Sequence, residues 1–232
     1  AFSTALLPPL TRAIHSNDTA AAQKQMSLGL LFAFIFTLPM AVILMSLSNP
    51  IIGAIYGRGN FTPEHVAAAS PTLIAFAFGL PSYMAAKVFS TTFFANKDTR
   101  TPLIGGIISI VTNLLFIWML VPYMKHMGVA LATSLSSWCN TWYLLAKLKT
   151  LNSVSVDKQI KVGCLKQMLV SGVMLASIYF MNISFANCYY QMGGLYRTMA
   201  LIGVVTVSLL VFIVVGKCVK LFDFMGEIKS TE

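Results

Sequence analysis

Three of the long apolar runs in this 232-residue chain carry polar side chains at helical spacing, and these are the groups within the runs that could do chemistry. In one run Tyr83, Lys87, Ser90 and Thr91 share a face, because residues three and four apart stack on one side of a helix. An ionisable group in hydrocarbon costs roughly 3 kcal/mol and is usually directed at a cavity or a partner. Lys87 is therefore predicted either to contact an anion in a cavity or to snorkel to the membrane surface.

The other two runs carry neutral polar side chains, again on one face each: Ser109 with Asn113, and Thr133 with Ser137 and Asn140. Such groups either bind a ligand or join helices. Helices in lipid also pack closely through small residues at a spacing of four, as Gly128, Ala132 and Ser136 would allow. Composition alone favours packing for these positions.

Nothing in the sequence has the pattern of an enzyme. It contains no Ser-His-Asp set, paired catalytic carboxylates, metal-ligand cluster or Gly-rich phosphate loop. The three histidines, His15, His65 and His126, fall in predicted connections without partners at metal-binding spacing. The four cysteines are scattered, as is typical of packing residues: Cys139, Cys164, Cys188 and Cys218. We expect no covalent chemistry, no confident metal site and no organic cofactor.

Membrane helices are the elements that must position these side chains. Apolar residues make up 57% of the chain and charged residues 10%, against roughly 45–50% and about 25% in soluble domains. Six runs reach the roughly 20 residues that a spanning helix needs, and none contains Asp or Glu: 26–52, 66–94, 103–121, 127–146, 164–185 and 195–216. Residues 1–10 are predicted to end a preceding helix at Pro8 and Pro9. The predicted fold class is an all-α polytopic membrane helix bundle.

The cations lie between the apolar runs, which is a membrane pattern rather than the single basic face of a nucleic-acid binder. Of the 16 Lys and Arg residues, twelve fall on one side of the alternating crossings, and three on the other: Arg58, Lys125 and Arg197. The positive-inside rule places the richer side, with the C-terminal tail, in the cytoplasm. Segment 151–163 is a predicted cytoplasmic linker between residues 1–150 and 164–232. Within the helices, Pro39 and Pro81 predict kinks, with a hinge at residues 79–81.

Four segments, in order, resemble the MurJ (MviN) family of lipid-linked-precursor flippases. Residues 6–12 (LLPPLTR) are similar to its helix-end motif, and residues 57–62 (GRGNFT) to its R-G-x-F-T loop. Residues 93–102 (FFANKDTRTP) resemble its D-T-R-T-P signature closely, and residues 128–135 (GVALATSL) its G-x-A-L-A-T-S segment. The chain also begins inside an apparent helix end, so a missing N-terminal portion is expected.

The resemblance implies the multidrug/oligosaccharidyl-lipid/polysaccharide exporter superfamily and a fourteen-helix flippase. Residues 1–150 would hold the end of helix eight and helices nine to twelve, and residues 164–232 two further helices that form a lipid-tail groove. The implied function is movement of lipid II, an undecaprenyl-pyrophosphate-linked peptidoglycan precursor, to the outer leaflet of the bacterial inner membrane by alternating access. Its implied partners are lipid II, membrane lipids and the N-terminal lobe, with no nucleic acid.

The resemblance also suggests roles for individual residues. The cavity side chains would be Tyr83, Lys87 and Asn140. In the signature motif, Asp98 and Arg100 form either a cytoplasmic gate or hinge, in which Asp98 caps the next helix and Arg100 pairs with another loop, or a structural turn with a helix cap that also obeys the positive-inside bias. The same two interpretations apply to Arg12 and Arg58, with the turn favoured.

Some family members bind sodium, and three positions match its ligands: Asn113, Val129 and Thr133. Of the two acidic ligands that the resemblance implies, one belongs to helix seven, which lies outside this chain, and the other falls on Ile117, which cannot coordinate an ion. Because hard cations prefer oxygen ligands, this substitution argues against sodium coupling.

Three alternatives stay open at this point. The first is another exporter of the superfamily, for an O-antigen-type lipid-linked glycan or a small cationic drug; the D-T-R-T-P and R-G-x-F-T segments favour the MurJ family over it. The second is a membrane enzyme of lipid metabolism, which would need acids or histidines at the membrane interface. The third is a fragment that works only with its missing half.

Overall fold

The computed structural model describes residues 2–16, 18–57, 62–149, 158–189 and 194–219. This part of the chain contains seven helices and no strand, which confirms the all-α membrane fold. The helices are α1 (Phe2–His15), α2 (Thr19–Ser46), α3 (Ser48–Tyr56), α4 (Pro63–Ala95), α5 (Arg100–Leu148), α6 (Lys158–Tyr189) and α7 (Gly194–Cys218).

Five of these helices are long and apolar enough to cross a membrane, one fewer than the six predicted runs. The difference arises because the runs 103–121 and 127–146 both belong to α5, which has 49 residues. The backbone of α5 breaks at Lys125, where φ is 49° and ψ is −123°. Beyond the break the helix folds back, since Asn113 approaches Thr133 and Gly105 contacts Asn140. We call the two parts the first arm (residues 100–124) and the second arm (residues 126–148) of an α5 hairpin.

Several predicted helix boundaries are wrong. The first helix does not end at Pro8 and Pro9 but continues to His15, as membrane helices can when neighbouring groups satisfy the freed backbone. The run 26–52 is not one helix, since α2 ends at Ser46 and α3 begins at Ser48. Likewise α6 begins at Lys158, inside the predicted connection 151–163. The division into domains stays a prediction.

The histidines predicted to lie in connections all lie within helices. His15 is the last residue of α1, His126 follows the break in α5, and His65 lies in the first turn of α4. There the His65 Nδ1 accepts the backbone N–H of Thr62 at 3.1 Å, so His65 helps to cap α4. Capping of α4 therefore explains the position of the His65 side chain.

The core has two parts that meet at α2. One part joins α1, α2, α4 and the end of α5, with its most buried large side chains at Leu10, Met26, Phe93, Leu144 and Leu148. The other joins α2, α6 and α7 through Leu31, Ile35, Met174, Ile178 and Phe212. Because α2 is covered on two sides, it must be apolar nearly all round. The helix pair α6–α7 therefore attaches to the rest of the bundle largely through α2.

Candidate functional site

Four residues from α4 and both arms of α5 form one hydrogen-bonded group, which we call the Thr133 network: Tyr83, Asn113, Val129 and Thr133. The Tyr83 Oη donates to the Thr133 carbonyl at 3.3 Å. The Asn113 Nδ2 donates to the Thr133 Oγ1 at 3.4 Å, and that hydroxyl donates to the Val129 carbonyl at 2.8 Å. The sequence had assigned Tyr83 to a substrate cavity and the other three to an ion site, whereas the structure brings all four together.

The Thr133 network offers only neutral ligands to a cation. Its oxygens are a phenol, a hydroxyl, backbone carbonyls and the Asn113 amide oxygen. Ile117, one turn beyond Asn113 on the first arm, adds an apolar side chain where the sodium-binding pattern has a carboxylate. In the part of the chain that the structure describes, no three His, Cys, Asp or Glu residues come together as a metal site. The oxygens of the Thr133 network are ligands of the kind that hard cations accept, but the described set supplies no negative charge.

Lys87 lies one turn beyond Tyr83 on α4, and its side chain is exposed. The helix ends at Ala95, about 12 Å further along its axis at 1.5 Å per residue. Thr91, which shares this face in the sequence pattern, donates its hydroxyl to the Lys87 carbonyl at 2.8 Å and so bonds its own helix. The exposed face therefore presents Tyr83 and Lys87, whereas the Thr91 hydroxyl is occupied.

Asn140 points away from this pair and towards the first arm of α5. Its side-chain oxygen packs so closely on Gly105 that a Cβ there would collide with it. This Oδ1 is buried and has no hydrogen-bond partner among the described residues. The structure thus places Asn140 at the contact between the two arms, without a hydrogen bond to Tyr83 or Lys87.

The turn between α4 and α5 is fixed by Asp98. The Asp98 Oδ1 accepts the backbone N–H groups of Arg100 and Thr101, each at 3.0 Å, and its Oδ2 accepts the Thr101 hydroxyl at 2.6 Å. Lys97 adopts a left-handed backbone with φ of 61°, which turns the chain sharply. The hydrogen bonds from the Thr101 side chain and backbone lower the pKa of Asp98 below its ordinary value. The carboxylate therefore caps the first turn of α5.

The structure describes two of the three arginines singled out in the sequence, Arg12 and Arg100. Arg100 is exposed, and its side chain forms no hydrogen bond or ion pair with any residue that the structure describes; its charge adds a small lowering effect to the pKa of Asp98. Arg12 lies exposed in the last turn of α1, where a cation suits the helix C-terminus. Arg58 lies outside the described residues. The pairing of Arg100 with another loop is not seen within the described ranges.

Side chains of the second arm hold α4 through a set of hydrogen bonds that we call the α4–α5 clasp. Ser134 Oγ donates to the Ala75 carbonyl at 2.6 Å, and Trp138 Nε1 to the Phe78 carbonyl at 3.3 Å. Thr141 Oγ1 donates to the Ser82 carbonyl at 3.0 Å, and the Ser82 hydroxyl lies 3.0 Å from that of Thr141 and 2.9 Å from that of Ser137. The partners on α4 lie on both sides of Pro81.

The clasp surrounds residues 79–81, which the sequence predicted as a hinge. Gly79 lets the helices approach, since a Cβ there would lie 2.6 Å from Ser134 Oγ and 3.1 Å from Ser134 Cα. In this conformation the segment is fixed against the second arm on both sides of the proline. The structure therefore identifies a packed junction at the position predicted to bend.

The family described as "Lipid II flippase MurJ" matches residues 1–201 of this sequence. This match covers most of the chain. The chain belongs to the MurJ lipid II flippase family.

Individual MurJ relatives agree with this assignment. The chain is 29% identical over 228 residues to "Probable lipid II flippase MurJ" of Rickettsia prowazekii (strain Madrid E), covering 98% of this chain and 45% of that protein. It is 31% identical over 179 residues to the protein of the same name from Rhizobium meliloti (strain 1021), covering 77% and 34%. A solved structure, "Lipid II flippase MurJ, inward closed conformation", has a TM-score of 0.76 and 26% identity, and covers 95% of this chain and 42% of its own.

This member of the MurJ family is a multi-pass bacterial membrane protein, as its family and its membrane-length helices show. It also spans less than half the length of these relatives.

The buried hydroxyls of the clasp were not predicted from the sequence. Ser82, Ser134 and Thr141 are nearly or fully inaccessible, but only Ser137 of the group was singled out. Their spacing was informative, because residues 134, 137 and 141 share one face of the second arm. The partner positions on α4 could not be read from spacing, because they are backbone carbonyls.

Proposed function

We propose that this chain is the C-terminal part of a flippase that moves lipid II from the inner to the outer leaflet of the bacterial cytoplasmic membrane. The observation that carries the proposal is the MurJ family match over residues 1–201. The similarity to a solved MurJ structure over 95% of the chain supports it. The substrate would be the undecaprenyl-pyrophosphate-linked muropeptide used in cell-wall biosynthesis.

The physical chemistry of the substrate explains why such a protein is needed. A pyrophosphate joined to sugars cannot cross hydrocarbon unaided, because charged and polar groups there lose their hydration. The protein must offer a polar, water-filled cavity that opens to each side in turn. We propose that Tyr83, Lys87 and Thr133 line that cavity, because Tyr83 and Lys87 lie on the exposed face of α4 and Tyr83 bonds Thr133. Lys87 would supply a cation for the pyrophosphate.

The α4–α5 clasp suggests which parts move together. Three side-chain-to-carbonyl bonds and the Ser82–Ser137 contact tie α4 to the second arm. We propose that α4 and the α5 hairpin rock as one rigid body. In that case, alternating access depends on motion between lobes, and residues 79–81 do not bend during transport.

We propose that the D-T-R-T-P segment is a structural turn. The Asp98 carboxylate is fully engaged in capping α5, and Arg100 is exposed. Arg12 and Arg58 would likewise contribute mainly to the positive-inside charge bias and to helix ends. The N-terminal lobe and membrane lipids are the other proposed partners.

We also propose an orientation and a coupling mode. The C-terminal tail and the Asp98 turn face the cytoplasm, whereas the break at Lys125 faces outwards. We propose that transport does not use sodium, because Ile117 replaces an acidic ligand of the implied sodium site and leaves the Thr133 network without a negative charge. The reaction needs no organic cofactor and makes or breaks no covalent bond.

Complementation tests this proposal. A full-length flippase that carries this chain as its C-terminal part is expressed in bacteria depleted of their own lipid II flippase. Growth and normal cell shape are expected. As a matched control, an exporter of O-antigen-type lipid-linked glycan is expressed to the same level and should not rescue. Failure of a well-expressed, correctly inserted protein would instead favour another substrate of the same superfamily.

A further inference from the structure

Two buried polar atoms on α6 have no hydrogen-bond partner among the described residues: Gln167 Oε1 and Ser171 Oγ. The side chain of Gln167 is 0% exposed and that of Ser171 is 5% exposed. They lie one turn apart on α6, so they share a face. That face meets α2, because the Gln167 Nε2 donates to the Leu31 carbonyl at 2.9 Å. Leaving such groups unpaired in an apolar interior is costly, so each is expected to have a partner.

The facing part of α2 contains a carbonyl that lacks its usual helical donor. Pro39 has no N–H, so it cannot donate to the Ile35 carbonyl four residues earlier, as an ordinary helical residue would. Both α2 and α6 contribute to one buried cluster, which contains Leu31 and Ile35. The two helices run in the same direction, because three crossings separate them: α4 and the two arms of α5. Ser171, one turn beyond Gln167, therefore lies level with Ile35, one turn beyond Leu31.

We propose that these three groups form a buried water-binding site between α2 and α6. The Gln167 Oε1 and the Ile35 carbonyl each need a donor, whereas the Ser171 hydroxyl has a proton to donate. One water molecule supplies two donors and accepts one bond, so it satisfies all three groups. About three hydrogen bonds are usual for a buried water. A cation would suit the site less well, because all three ligands are neutral.

The site would attach the α6–α7 pair to the proline kink of α2. The Gln167 bond to Leu31 is direct, and the water replaces the backbone hydrogen bond that Pro39 cannot make. This inference goes beyond the proposed transport function and does not depend on which substrate is moved. Gln167 and Ser171 would both bind the water. Apolar packing of α6 alone would not require polar side chains at these positions.

Radiolytic labelling tests for the water directly. The full-length protein in lipid nanodiscs is exposed to a millisecond X-ray pulse, and a bound water then yields hydroxyl radicals that oxidise adjacent side chains. Met174 lies about one turn beyond Ser171 and is 0% exposed, so radicals from bulk solvent cannot reach it. We expect Met174 to be oxidised in the wild type. In Ser171→Ala, which removes one of three partners, the oxidation should fall by about threefold or more.

Ser208→Ala is the matched control, because Ser208 is equally buried in α7 but donates to the Val204 carbonyl of its own helix at 2.7 Å. It should leave Met174 oxidation unchanged. An unoxidised Met174 in the wild type, or equal oxidation in Ser171→Ala, would overturn the proposal.

A double-mutant cycle tests whether the missing N–H of Pro39 makes the water necessary. Pro39→Ala returns an N–H to the Ile35 carbonyl, so the water becomes less necessary. Ser171→Ala should therefore lower the thermal midpoint less in the Pro39→Ala background than in the wild type. The shifts of Ser208→Ala should add to those of Pro39→Ala. Additive shifts for Ser171→Ala as well would rule out a shared water.

Discussion

At the scale of single residues, Asp98 shows how a sequence motif can be explained by local hydrogen bonds. Both of its oxygens are engaged within the three residues that follow it, and Lys97 supplies the left-handed turn before it. The sequence predicted that Asp98 caps the next helix, but it left open whether the motif is a gate or a structural turn. The exposed state of Arg100 could not be predicted, because it depends on how far other loops lie from it.

Replacing Asp98 should weaken the start of α5. Asp98→Ala is expected to cost about 1 kcal/mol of folding stability, the usual value for a lost N-terminal cap. Asp98→Asn keeps one acceptor oxygen and should cost less. Thermal unfolding in detergent measures both variants. Arg100→Ala serves as the control and should unfold like the wild type, because the Arg100 side chain forms no hydrogen bond or ion pair with a described residue, and the variant keeps the backbone N–H that bonds Asp98. If Asp98→Ala were as stable as the wild type but inactive, a gating role would be favoured over a cap.

The same carboxylate predicts a pH dependence. The pKa of Asp98 is lower in the folded protein than its ordinary value, so its stabilising contribution is fully present above that ordinary value, about 4. The contribution is lost as the pH falls below 4 and through the folded-state pKa. Comparing unfolding of the wild type and Asp98→Asn between about pH 3 and 6 isolates this effect. The difference between them should shrink towards acid pH, and a constant difference would contradict the assignment.

Two roles are compatible with the position of Lys87: contact with an anion in the cavity, or snorkelling to the membrane surface. Substitutions of Lys87 distinguish them. If it binds the pyrophosphate, Lys87→Ala should reduce transport by about tenfold or more, the value of one lost charged contact, while Lys87→Arg retains most of it. If it snorkels to the cytoplasmic surface, both variants should transport normally. Transport by variants of matched abundance decides between these outcomes, with wild-type activity in Lys87→Ala excluding the cavity role.

At the scale of helices, the α5 hairpin was largely predictable from the sequence. Two apolar runs with a short polar connection at residues 122–126 indicated two crossings, and the break at Lys125 falls within it. The division of the run 26–52 at Leu47 was not predicted, although Pro50 lies three residues later and lacks the N–H that would bond the Ser46 carbonyl in a continuous helix. The continuation of α1 through Pro8 and Pro9 was also not predicted. Proline ends most helices in soluble proteins, whereas membrane helices often continue through it.

Two adjacent glycines provide a test of the hairpin. Gly105 faces Asn140 on the second arm, whereas a Cβ on Gly106 would meet nothing within 4 Å. Gly105→Ala should therefore lower the thermal midpoint, because the buried Asn140 side chain must move to admit the new Cβ. Gly106→Ala should leave it unchanged or raise it, because alanine favours a helix by up to about 1 kcal/mol. Equal effects of the two substitutions on thermal unfolding would show that the arms do not pack in this register.

At the scale of the whole molecule, the distribution of cations predicts how the bundle lies in the membrane. The first arm carries large exposed side chains along its length, and near its far end Trp118 is 82% exposed and Tyr123 is 87% exposed. Aromatic residues at a helix end are typical of the membrane interface. The apolar runs predicted how many crossings to expect, but the way α2 joins two cores depends on long-range contacts that no local pattern contains.

Cysteine accessibility tests the orientation. In a background whose four cysteines are replaced, a membrane-impermeant maleimide on intact cells should label Tyr123→Cys and spare Arg100→Cys. These two positions lie at opposite ends of the first arm and are both exposed, which makes them a matched pair. Permeabilised cells should label both. Labelling of Arg100→Cys alone on intact cells would reverse the proposed topology.

The central claim is that the chain belongs to a protein that moves lipid II, and a leaflet-specific assay tests it most directly. A full-length flippase carrying this chain is induced in flippase-depleted spheroplasts, and lipid II on the outer leaflet is measured by its accessibility to an added enzyme that cleaves its pyrophosphate. Induction should restore cleavage within minutes, to the level given by an established lipid II flippase at equal abundance. Lipid II that stays protected, with the protein correctly inserted, would contradict the account.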